Sequence, residues 1–127
     1  MKRISPIALV VLAFVIFATM ACMCSYFFPD EPIVFNPDKL PDAQVGVPYE
    51  VTISISQNRT PAGDISLSEG MLPPGLELVY VKAEDTAKIT GTPTEAGTFT
   101  FTIRVWCFGT NEAGQTGEKQ YTIVVVP

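Results

Sequence analysis

Histidine is absent from the 127 residues. That removes the commonest general base, proton shuttle and transition-metal ligand at once. Serines are plentiful, but with no histidine and no suitably placed lysine none has a base to activate it. Basic residues are also scarce: eight against thirteen acids, and Lys2 and Arg3 stand ahead of everything else. The chain from Pro29 onward therefore holds six basic and thirteen acidic residues, a net of −7. Such a surface repels phosphate backbones and anionic headgroups, which excludes a nucleic-acid partner. Cysteine is limited to Cys22, Cys24 and Cys107. Only Cys107 falls in the polar part, so an intradomain disulfide is excluded and the fold rests on packing. Alternation places Cys107 among buried side chains, as an inert thiol. Helical periodicity is missing after Phe28.

What the chain does have begins with an uncharged run of 22 residues, Ile7 to Phe28, with Lys2 and Arg3 before it and Asp30 and Glu31 after it. As a helix the run would rise roughly 33 Å, the thickness of a bilayer core. The charge order keeps the N-terminus inside and exports the rest of the chain. Two tethers fit. One is an uncleaved signal anchor, which accounts for the full length of the run. The other is a lipid on Cys22, since Thr19-Met-Ala-Cys22 resembles a degenerate bacterial lipobox. Cleavage and release comes third. Residues 1–28 are thus a signal or membrane-anchor segment.

Five prolines between Pro29 and Pro48 block regular helix, so residues 29–39 read as an extended stalk with a first strand at Ile33-Val-Phe35. Residues 40–127 then alternate in period two, the pattern of strands with one buried face. Tyr49, Val51, Ile53 and Ile55 form one apolar row, Phe99 to Cys107 a second, and Tyr121, Ile123 and Val125 a third. Shorter candidates are Ile65 to Leu67, Leu76 to Tyr80 and Ala87 to Thr90. They are separated by glycine and proline clusters at Pro61-Ala-Gly63, 72–76, 91–93, 96–97 and 109–117. About seven such strands predict an all-β, Ig-like Greek-key sandwich behind an N-terminal hydrophobic helix.

Three blocks, Leu40-Pro-Asp-Ala-Gln-Val-Gly-Val-Pro-Tyr49, Leu72-Pro-Pro-Gly-Leu-Glu-Leu78 and Ile89-Thr-Gly-Thr-Pro-Thr-Glu-Ala-Gly-Thr-Phe-Thr-Phe101, resemble the putative-Ig repeat of bacterial surface proteins. That repeat is similar to cadherin-like domains of dystroglycan type, and the likeness spans about Pro37 to Val126. The blocks are turn-formers: Pro73 presets φ, and Gly75, Gly91 and Gly97 free the backbone around it. The resemblance implies a fold and no particular ligand. Many relatives follow the long strand with an Asp-rich turn that helps bind calcium, but here Val105-Trp-Cys-Phe-Gly109 stands there. Calcium needs oxygen ligands, so no metal site is transferred and no cofactor is expected. An aromatic common in the relatives' third strand is replaced by Pro61-Ala-Gly-Asp-Ile65.

The candidate binding residues are Trp106 and Phe108. If Phe101 to Cys107 alternate inward, these two face out, on a strand rigid enough to present an anchor for protein or sugar. The competing reading has loop 109–117 fold over them or a bulge re-aim the strand. That loop is glycine-rich, but no helix follows to make it a phosphate cradle. Glu84-Asp85 reads as a solvated turn rather than a catalytic pair. Asn58-Arg-Thr60 matches a glycosylation acceptor and carries little weight beside Pro61. The expectation is a non-catalytic, membrane-tethered interaction module, its domain periplasmic or extracellular, binding an envelope protein or surface polysaccharide. The alternative is a structural subunit or spacer of a larger membrane complex.

Overall fold

A computed structural model describes residues 6–7, 10–16, 31–82, 84–109 and 114–127. The chain divides into two compact units, Met1–Glu31 and Pro32–Pro127. In the first, residues 6–7 and 10–16 are helical. Among the described residues no helix is long and apolar enough to cross a membrane. Most of the apolar run, and Cys22 with it, lies outside them.

The second unit is a two-sheet β-sandwich. One sheet has the order β1-β3-β6-β5, built from Val34–Asn36, Tyr49–Ser56, Thr86–Gly91 and Leu76–Tyr80. The other has the order β2-β8-β7-β4, built from Ala43–Gln44, Thr116–Val126, Gly97–Cys107 and Ala62–Gly70. Among the described residues only β5–β6 and β7–β8 are hairpins within a sheet. The chain otherwise passes from one sheet to the other between successive strands, which is Greek-key wiring. All pairings are antiparallel except β2 on β8.

The three apolar rows meet in the middle. Ile53, Ile89, Ile103, Val105 and Ile123 are completely buried, with Phe101 beside them. Burying each such side chain contributes about 1.5–3 kcal/mol, so this layer is what holds the sheets face to face. Cys107 is buried in the same layer and is a free thiol. Burial, then the nearby charge of Asp85, pushes that thiol up from its ordinary value.

Three expectations about turns and ends needed revision. Pro61-Ala-Gly63 does not separate strands: Ala62 and Gly63 already belong to β4, where Ala62 pairs with Cys107. A bulge between Ala62 and Asp64 lets the glycine enter the ladder without keeping its register. The first strand runs one residue later than its hydrophobic pattern, to Asn36. An eighth strand, the two-residue β2, is too short to show any period.

The blocks that carry the family resemblance pack against each other. Leu76 N–H donates to Pro73 O at 3.0 Å, closing the turn, and Thr92 and Thr94 N–H donate to Gly75 O and Pro74 O at 3.1 and 2.9 Å. Pro73 and Pro93 are fully buried beneath this clasp. Gly75 has φ +92° and lies so close to the backbone carbonyl of Thr92 that no Cβ fits. The glycine is required both for its φ and for that approach.

Candidate functional site

The outer face of the second sheet, from β4 across β7 to β8, carries the candidate residues. Trp106 stands on β7 opposite Asp64 of β4 on one side and Thr116 of β8 on the other. Its side chain points away from the core and is 43% exposed. Phe108, just past the strand, is half-buried. The two rings meet edge to face, centroids 5.4 Å apart and planes at 66°, a favourable aromatic geometry.

What supports the indole is the bulge in β4. Trp106 Cε3 and Cζ3 occupy the space a Cβ on Gly63 would need, and Phe108 Cε1 lies 3.4 Å from the same point. On the other side, Trp106 Nε1 is 3.2 Å from the Cβ position of Gly114. An aromatic thus covers an edge-strand glycine from the neighbouring strand, a known way of protecting exposed backbone. The residues face outward as alternation requires, with Gly63 at the β4 bulge and Gly114 set against part of the indole. Phe108 is the less exposed of the two.

The loops beneath are tied to each other. Phe108 N–H donates to Pro61 O at 3.1 Å and Cys107 N–H to Gln115 O at 2.8 Å. Arg59 N–H donates to Gln115 Oε1 at 2.7 Å, and Asn58 Nδ2 to Thr60 O at 2.9 Å. Asp85 is not simply solvated. Its Oδ1 accepts from Ala62 N–H and its carbonyl from Ile55 N–H, both at 2.9 Å. Tyr80 OH donates to Ala62 O at 2.6 Å. Asp85 and Tyr80 thus fix the start of β4, and hence the bulge on which Trp106 rests. Nothing in the local sequence announces this, because each bond joins residues far apart in the chain.

Beyond Trp106 the face is mostly polar, with Val124 and Val126 exposed at the far end of β8. Ser66 Oγ donates to Asp64 Oδ2 at 2.8 Å, orienting that carboxylate. Arg104 and Glu118 pair at 3.8 Å, both half exposed, an arrangement that contributes little stability. Thr100 and Thr122 hydroxyls are 3.0 Å apart. Among the described residues no group of three or more His, Cys, Asp or Glu stands where it could hold a metal ion.

No curated protein sequence matches the chain. Among solved structures, a variant of the SrpA adhesin from Streptococcus sanguinis superposes with TM-score 0.54 at 17% identity. That match covers 77% of this chain and 59% of the adhesin chain, so less than two thirds of that protein is represented. The seventh PapD-like domain of human CEP192, an ASH/PapD-like domain, superposes with TM-score 0.50 at 12% identity, covering 78% of this chain and 89% of that one. These likenesses show an Ig-like fold and no more. The profile of the family described as Putative Ig domain matches residues 31–126, the whole sandwich, and the chain belongs to that family.

Proposed function

We propose that the chain is a non-catalytic interaction module, tethered to a bacterial membrane, whose Ig-like domain binds an envelope protein or surface polymer on the outer side. The observation that carries this reading is the exposed indole of Trp106, held on a hydrogen-bonded frame at the face of a rigid sheet. An anchor of this kind loses little side-chain freedom on binding, because packing has already fixed it. The uncharged run from Ile7 to Phe28, with bases before it and acids after it, supports the tether and the outward address.

The test uses the full chain in the membranes of a bacterial host. Protease added to intact spheroplasts should degrade the domain, and Trp106→Ser should abolish cross-linking to the partner. Because the ring is nearly half exposed, that variant should lower the unfolding midpoint by only about 4–8 °C, equivalent to ~1 kcal/mol. Protection of the domain until lysis would refute the address. Undiminished cross-linking would refute the role of Trp106.

A further inference from the structure

We infer that the β4-β7-β8 face is a binding site for an uncharged, β-linked glycan, with Trp106 as the stacking platform. This rests on the interaction-module reading and names the class of ligand.

Three features point to a sugar. Near the end of β7 the apolar part of the face is small: Trp106 is exposed there with Phe108 half-buried at its edge, and the exposed Val124 and Val126 lie apart, at the other end of β8. A stable protein partner needs roughly 800 Å² on each side with an apolar centre, and this face offers no such centre. One flat ring suits instead the C–H face of a pyranose, which needs a single aromatic plane.

Hydrogen-bonding groups flank that plane at the spacing a sugar ring presents. Asp64 sits directly across from Trp106, Ser66 directly across from Arg104, and Gln120 lies on β8 opposite Thr102. Positions directly across a pair are about 5 Å apart and successive outward positions on a strand about 7 Å. Hydroxyls of a ring stacked on the indole therefore fall within reach of Asp64 and Arg104. The next ring along the strand reaches Ser66 and Gln120. Asp64 is already oriented by Ser66 Oγ, so one carboxylate oxygen is committed and its direction is set. Carboxylate, guanidinium and carboxamide are groups that take two hydroxyls at once.

Charge selects among glycans. With a net of −7 from Pro29 onward, and Asp64 and Glu118 on the face itself, polyanionic surface polymers are repelled. The ligand is thus neutral. A β-linked chain, extended with its rings in succession, matches the linear row of outward side chains along β7 better than a helical α-linked one.

Trp106 is the chain's sole tryptophan, so intrinsic fluorescence reports on this site alone. The full chain in detergent is titrated with β-1,4-linked hexasaccharides of glucose and of N-acetylglucosamine, with hyaluronan oligosaccharides as the anionic arm. A saturable emission change with at least one neutral hexasaccharide, half-complete at about 0.1–1 mM, is the expected result, with none for hyaluronan. Asp64→Asn should weaken the interaction about fivefold, and Trp106→Ala should abolish retardation on a gel containing the same glycan. No saturable change up to ~10 mM with either neutral hexasaccharide, or retardation unaltered by Trp106→Ala, would overturn the inference. If the emission is silent to glycans while Trp106→Ser still abolishes cross-linking to a membrane protein, the glycan inference falls and the interaction-module reading stands.

Discussion

Gly63 matters for what it leaves out. The indole of Trp106 lies where its Cβ would stand, so even a methyl group must lift the ring from β4. Gly63→Ala should move the emission of the sole tryptophan to longer wavelength, as the ring becomes more solvated. The accompanying stability loss should be about 1 kcal/mol, read by urea unfolding. An unchanged spectrum would mean that the ring does not rest on β4. Cys107 is the opposite case, a residue whose reactivity is removed by its surroundings. It is buried, and its thiol is pushed up first by burial and then by Asp85. Because only the thiolate attacks, a thiol reagent such as Ellman's should leave Cys107 unmodified in the folded protein. Modification should follow the unfolding curve in urea. Prompt modification at zero urea would show that the packing around β7 opens locally.

At the scale of elements, the turn between β4 and β5 and the strand end of β6 form one clasp through Gly75, Thr92 and Thr94. Gly75→Ala meets both a positive φ and the carbonyl of Thr92. It should cost more than about 2 kcal/mol, measured as a lower urea midpoint at unchanged slope. A loss under about 1 kcal/mol would mean that the clasp relaxes freely. These elements differ in how legible they were. Leu76–Tyr80 and the inward rows of β3, β7 and β8 follow directly from period-two alternation, because one face of each packs toward the core, only partly buried in the case of Leu76–Tyr80. The outward direction of Trp106 came from the same alternation. What alternation could not reveal was the cover over it. The bulge that opens at Ala62 depends on Asp85 and Tyr80, 23 and 18 positions away, and a period carries no information about such partners. β2 was hidden for a related reason: two residues paired in parallel to the far end of the chain have no pattern of their own.

For the whole molecule, two tyrosines fasten one segment to both sheets. Tyr49 of β3 donates to Pro41 O, and Tyr121 of β8 to Pro37 O, each at 2.9 Å. The chain between β1 and β2 is thereby held from either side, with Lys119 also paired to Asp38. Burial, and then Asp42 near the first and Asp38 near the second, pushes each phenol from 10.0 up to about 12. A folded value above the unfolded one means that the folded state retains protons the unfolded chain releases. The stabilisation is therefore complete below about pH 10 and is lost as pH rises toward 12. Each tyrosine accounts for on the order of 2 kcal/mol of that loss. Cys107, raised in the same direction from 9.0, starts the decline slightly earlier than the tyrosines. Urea unfolding should accordingly give a nearly constant stability from about pH 7 to 8.5 and a fall of several kcal/mol by about pH 12. Replacing both tyrosines with phenylalanine removes the hydrogen bonds and should lower stability at neutral pH by about 1 kcal/mol per site. The same variant should flatten the alkaline fall, because the groups that titrate are gone. If the variant keeps the full alkaline slope, the loss arises elsewhere, and the two phenols do not govern how the segment before β2 is held.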